Sequence, residues 1–211
     1  MMKNKLPSIN NQTKICIICE GNEEYEYLER LKSLGVWDEK YDISLENAGG
    51  NGNVPARYQD KYQNGSYDLI LMFCDTDRKP YEQYVDIKRK IDDFHGVEGA
   101  ADVVLMYGNP CTMQIVVQHW KEVCLKSPAK KVNAPLIEEC TGVANYKAKK
   151  EQLGDLFKQV TKDNYADMLE RVKRMSHDDT VVGSSNFARF MEGLGSGDAA
   201  WIDGINEVLE G

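Results

Sequence analysis

The most constraining feature of the chain is the run Asp68-Leu69-Ile70-Leu71-Met72-Phe73-Cys74-Asp75-Thr76-Asp77. It is apolar over a strand's length and closes on two acids two positions apart. A run without polar alternation predicts a strand buried on both faces of a parallel sheet. Open α/β sheets place ligands at the carboxyl ends of their strands, so Asp75 and Asp77 fall where a ligand would. On an extended chain the two side chains share one side. Hard carboxylate oxygens there suit a divalent cation such as magnesium, or manganese. A turn whose aspartates cap backbone donors is the alternative that spacing alone leaves open.

Strand and helix alternate around that run. Lys14 to Cys19 predicts a first strand, closing on Glu20-Gly21. Asn22 to Leu34 predicts a helix with Tyr25, Leu28 and Leu31 on one face and Gly35 as its stop. The helix dipole accounts for Glu23, Glu24 and Glu26 in the first turn but not for Glu20 at the strand's exit. Tyr41 to Glu46 predicts a second strand. The Gly-rich loop Asn47 to Asn53 reads as a turn with a weak claim to phosphate, and Ala56 to Tyr62 as a helix behind Pro55. A helix from Tyr81 to Phe94 follows the central run, then a fourth strand from Asp102 to Tyr107. Asn109-Pro110 opens a helix from Cys111 to Cys124, in which His119 reads first as a buried imidazole bonded to a neighbour. Cys16 and Cys19 have a redox or zinc spacing, but on a strand they face opposite ways and cannot clamp one ion.

The alternation predicts an α/β fold: a mainly parallel, Rossmann-like sheet of about four strands flanked by helices, over residues 1–125. First and third strands are commonly neighbours in such sheets, which would bring Glu20 to Asp75 and Asp77. Residues 126–211 predict a helical C-terminal extension packed on that domain. It begins with a connector, Ser127 to Cys140, that has no clear period. Helices are expected at Asn145 to Val160, at Asn164 to Met175 behind Asp163 as cap, at Ser185 to Leu194 and at Asp198 to Leu209.

The chain carries 26 Lys and Arg against 34 Asp and Glu, a net −8. Its overall field does not favour a phosphate backbone, so nucleic-acid binding would need local basic patches or bound metal. The candidates are Arg78-Lys79, Lys88-Arg89-Lys90, Lys130-Lys131, Lys147-Lys149-Lys150 and Arg171-Lys173-Arg174, each of which reads first as a solvated helix face. No apolar run approaches the roughly 20 residues that span a bilayer, and the polar start lacks a signal core. No membrane association and a cytoplasmic location are therefore expected. Six cysteines scattered through strands and helices fit reduced thiols.

In their order, Cys19-Glu20-Gly21, Asp75-Thr76-Asp77 and Asn109-Pro110-Cys111 through His119-Trp120 resemble the pattern of Toprim-domain proteins. The likeness is greatest to the RloB-like family, small Toprim proteins linked to restriction and phage-defence loci. Asn145-Tyr146-Lys147 and the helical tail are also similar. The resemblance implies metal-dependent phosphodiester chemistry on nucleic acid. Glu20 would serve as the catalytic acid/base and Asp75 and Asp77 as ligands of magnesium or manganese. Gly21, Asn109, His119, Arg78, Lys79 and Lys147 would contact substrate, and a defence-system protein could be a partner. Where that family carries Phe-Glu after Asn-Pro-Cys, this chain has Thr112-Met113, one carboxylate fewer. A second reading is thus a nucleic-acid- or nucleotide-binding module of a defence assembly with slow chemistry or none. A third, an unrelated nucleotide-binding α/β domain, applies if the three acids lie apart.

Overall fold

A computed structural model describes residues 12–76 and 81–211. Strands β1 (Thr13–Cys19), β2 (Tyr41–Asn47), β3 (Leu69–Asp75) and β4 (Leu105–Gly108) form one parallel sheet in the order β2-β1-β3-β4. Helix α1 (Asn22–Leu34) links β1 to β2, and α2 (Val54–Asn64) links β2 to β3. Helices α3 (Tyr81–His95) and α4 (Ala100–Val104) lie between β3 and β4. β1 and β3 are neighbours, as expected, with Cys19 opposite Phe73. The sheet grows one way from β1 to β2 and the other way from β1 to β3. That reversal opens a crevice between the crossovers at the strands' carboxyl ends, where open sheets hold ligands.

β1 and β3 are solid apolar runs because both faces are covered. The two-residue period and the register put Ile17 and Phe73 on one face, Cys16 and Cys74 on the other. On the first face, Phe73 and Tyr27 of α1 both pack on Phe187, with ring centroids 5.2 and 5.8 Å away. On the second, Tyr107, opposite Cys74, meets Tyr84 of α3 at 6.0 Å. Cys16 and Cys19 accordingly face opposite ways as free buried thiols.

The later part of the chain supplies α5 (Met113–Val116), α6 (Lys130–Thr141), α7 (Lys150–Phe157), α8 (Lys162–Lys173), α9 (Phe187–Ser196) and α10 (Ala200–Glu210). Residues just before α9 close the free edge of β4. Asn186 accepts the Tyr107 N–H at 3.0 Å and donates to the Leu105 carbonyl at 2.8 Å; the Ser185 hydroxyl donates to the Tyr107 carbonyl at 2.7 Å. An exposed ladder edge is thereby satisfied within the molecule.

Several elements depart from the sequence-based expectation. β4 begins at Leu105 rather than Asp102, because residues 100–104 are helical and the Asp92 carboxylate accepts the Ala101 N–H at 2.8 Å. The helix expected from Cys111 to Cys124 is reduced to α5 and a 3₁₀ turn at Val117–His119. Buried Gln114 and Gln118 donate to the Val123 carbonyl at 2.8 and 2.7 Å, and the Leu125 N–H donates to Gln114 at 2.7 Å. These side chains satisfy an irregular backbone that a continuous helix would have paired itself. The expected connector contains α6 despite Pro135, which lies on its exposed side. The helix expected from Asn145 starts only at Lys150, and Thr161, not Asp163, caps α8 by accepting the Asn164 N–H at 3.3 Å. Among the described residues no helix is long and apolar enough to cross a membrane.

Candidate functional site

Glu20 leaves β1 at the switch point with its backbone held on both sides. Its N–H donates to the Phe73 carbonyl at 2.9 Å, and its own carbonyl accepts the Gly50 N–H at 2.8 Å. Gly49 and Gly50 lie at φ 73° and 130°, the region glycine alone enters cheaply, which lets the loop fold back on Glu20. The loop N–H groups of Ala48, Gly49, Gly50 and Asn53 are all spent inside the protein. They buttress Glu20, which argues against the loop as a phosphate cradle. The Glu20 carboxylate accepts the Asp75 N–H at 3.0 Å, tying the tips of β1 and β3 together.

Asp75 shares the face of Phe73 and so turns toward the start of α1. One carboxylate oxygen accepts both the N–H and the hydroxyl of Thr112, the latter at 2.6 Å. The same hydroxyl lies 2.6 Å from Glu24, whose second oxygen reaches back to accept the Gly21 N–H at 3.0 Å and so caps the helix start. A threonine hydroxyl has one proton to give. It cannot donate in full to both carboxylates at once. Burial raises the pKa of both acids. For Asp75 the charges of Glu24 and Glu20 add to it, and the Thr112 hydrogen bond works against it.

A fourth acid, Glu23, completes the wall. It pairs with Lys130 at the start of α6 and accepts the Tyr146 hydroxyl at 2.6 Å. Burial opposes the charge on Lys130, but Glu23 more than compensates and its pKa rises. Burial and then Glu23 also push the Tyr146 phenol up. Together these groups line a cleft of about 330 Å³: Glu20, Gly21, Glu23, Glu24 and Asp75 from the sheet side, Lys130, Tyr146 and Lys147 from beyond residue 126, with Cys111 and Met113 between.

The structure thus brings together Glu20, Gly21, Asp75 and Lys147 of the expected set. Asp77, Arg78 and Lys79 lie outside the described residues. Asn109 and His119 are placed away from the cleft. Asn109 is turned to the loop before α9, donating to the Asp179 carbonyl at 2.6 Å from its side chain and to the Ser184 carbonyl at 3.0 Å from its N–H. The bond from Asn109 to Pro110 is cis, and Pro110 does not open a helix. His119 is buried between Tyr27 and Asn164, at 2.9 and 3.0 Å.

Thr112 has no place in the sequence reading as a site residue, Glu23 and Glu24 enter it only through the helix dipole, Lys130 only within a basic cluster and Tyr146 only within the resemblance. Glu24 carried a signal: it falls three, four and seven positions before Tyr27, Leu28 and Leu31, all fully buried. A carboxylate on the core stripe of a helix is unusual. The dipole argument explained Glu24 too early.

Compared with known proteins, the chain matches no family model, no curated protein and no solved structure. Among the described residues, no three or more His, Cys, Asp or Glu side chains are grouped to enclose a metal ion. A magnesium ion does not need an all-protein cage. One or two carboxylates commonly suffice, with water and substrate phosphate completing the shell. Glu20 and Asp75 offer that donor chemistry beside two further buried or half-buried acids.

Proposed function

We propose that the cleft carries out metal-dependent phosphodiester chemistry on nucleic acid, in the manner of the Toprim proteins that the sequence resembles. The observation that carries the reading is the contact between the tips of β1 and β3, where Asp75 donates its N–H to Glu20 at 3.0 Å. Asp75, with Glu20 beside it and Asp77 two residues on, would hold magnesium or manganese. The ion, when bound, would stabilise negative charge on a phosphate oxygen and lower the pKa of a bound water. Glu20 would accept a proton from the attacking water or hydroxyl, or return one to the leaving oxygen. Its backbone is held by Phe73 and Gly50, so the side chain starts from a fixed point at the cleft. The closeness of Glu20, Glu24 and Asp75 supports the reading, because acids that raise one another's pKa give up that cost when a cation binds between them.

The test is cleavage of single- and double-stranded DNA and RNA by the full chain with magnesium or manganese, against Glu20→Gln. Loss of a general acid/base should slow turnover by about 10²–10⁴-fold. Equal rates in the two proteins would end the assignment of Glu20. A binding module within a defence assembly is favoured instead by one feature, the uncharged Thr112-Met113 at the cleft in place of the family's carboxylate. Metal binding by calorimetry with no turnover on any nucleic acid would decide for it.

A further inference from the structure

The cleft is acidic, yet its outer wall is not. Six lysines sit on the two segments that bring the later part of the chain to it: Lys126, Lys130 and Lys131 on one, Lys147, Lys149 and Lys150 on the other. All six are exposed, and Lys130 and Lys147 line the cleft itself. Lys130 pairs with Glu23; the other five form no ion pair among the described residues. Elsewhere most lysines and arginines of the surface are matched, as along α3, where Arg89 and Lys90 bond Asp86.

The lysines also stand where helix stability would not place them. Lys130 and Lys131 occupy the first turn of α6, and Glu138 and Glu139 its far end, with no basic residue in the last turn. Lys149 and Lys150 start α7, where Glu151 is the one acid. A helix amino end carries partial positive charge, so cations there cost stability and their reversal would add it. Two helices thus present both their positive ends and their lysines toward one mouth. The turn bearing Lys147 adds a backbone cost, since Asn145 and Ala148 both take positive φ, 50° and 55°. Asparagine enters that region at little cost, but alanine holds it only when its surroundings impose it.

We propose that these lysines form a track for the sugar–phosphate backbone of a nucleic acid, leading it across the acidic cleft. The proposal rests on the phosphodiester reading for the choice of polyanion, but the track itself is a binding surface and needs no turnover. A phosphate backbone fits both parts of the surface: lysines neutralise phosphates along the rim, and the carboxylates take a divalent ion against one phosphate at the centre. An acidic peptide would meet the carboxylates as repulsion. A membrane would ask for apolar side chains to insert, and the rim offers only Val132 as a strongly exposed one. The extension is then the part that engages substrate, and the sheet the part that acts on it.

The experiment is fluorescence anisotropy of labelled single-stranded DNA and RNA of about 20 nucleotides with the full chain in EDTA, over a range of salt. Wild type is expected to bind with a steep salt dependence. Lys147→Ala/Lys149→Ala/Lys150→Ala should weaken binding by about tenfold or more at low salt and flatten the log–log slope by about two, near 0.7 per lost phosphate contact. Lys126→Ala/Lys131→Ala should flatten it by about one. Lys158→Ala/Lys162→Ala, on the same extension but off the cleft, should change neither, and thermal melts establish that each variant is folded. No binding by wild type, an unchanged slope in the folded triple variant, or tighter lysine-dependent binding to polyglutamate or anionic vesicles would overturn the track. If wild type binds through these lysines but cleaves nothing with magnesium, the track stands and the phosphodiester reading falls.

Discussion

His119 is buried, with both ring nitrogens hydrogen-bonded. Asn164 Oδ1 already accepts the Thr161 N–H, so it accepts again from His119 Nδ1, and Nε2 is left to receive the Tyr27 hydroxyl. The network fixes a neutral tautomer. Burial pulls the pKa from 6.5 down to about 4, Asn164 working against it and the Arg171 charge with it. Because the folded value lies below the unfolded one, the unfolded chain takes up a proton that the native chain refuses. Stability is therefore full above pH 6.5 and is lost as pH falls toward 4, by about 3 kcal/mol for this group. Urea unfolding at neutral pH and near the lower value should show that loss in wild type and a smaller one in His119→Gln. Equal pH dependence in both proteins would mean that His119 ionises freely in the fold. The sequence allowed for such a bonded, buried imidazole. It could not name Asn164 or Tyr27, which approach from 45 and 92 residues away.

At the scale of the element, legibility followed how local the determinants are. α1 is bounded where expected, Asn22 to Leu34, because the Gly21 N–H bonded to Glu24 and the left-handed Gly35 lie within its own sequence. β3 was legible because nothing polar interrupts it. α5 was overread since Gln114 and Gln118 look like helix formers until their amides are seen serving a distant backbone. The turn Asn145–Ala148 was invisible as a turn, for its strain is imposed from outside. Gln152 bonds the Lys147 N–H at 2.9 Å and the Ala144 carbonyl at 3.0 Å, while the Tyr146 hydroxyl reaches Glu23 at 2.6 Å. Tyr146→Phe keeps the ring and deletes that bond to a charged acceptor. It should cost about 1.5–3 kcal/mol in a urea melt with an unchanged slope. Lys147→Ala, exposed on the same turn, should stay within about 0.5 kcal/mol. Two equally small effects would show that the turn holds itself without Tyr146.

For the molecule as a whole, a boundary near residue 125 divides the sequence better than it divides the core. Composition and rhythm do change there, which is why strand–helix alternation and helical tail read as separate parts. One contiguous apolar cluster nonetheless runs from Ile15 through Phe73 to Phe187, Phe190 and Leu209. Phe187 packs on Phe73 of the sheet itself, Trp201 donates its indole N–H to the Tyr41 hydroxyl at 3.0 Å, and Asn186 pairs the edge of β4. A chain ending at Leu125 would uncover one face of β1 and β3 and leave the β4 edge open. Burying an aromatic ring such as Phe187 alone contributes about 1.5–3 kcal/mol, and several such rings are lost, against a typical total stability of about 5–15 kcal/mol. Residues 1–125 alone are therefore expected to lack near-UV circular dichroism and a cooperative melt, and to self-associate through the exposed edge. A sharp melting transition and monomeric elution of that fragment would show instead that the extension is a separable module. The cleft, with Lys130 and Tyr146 on its wall, would then be formed by docking rather than by the fold.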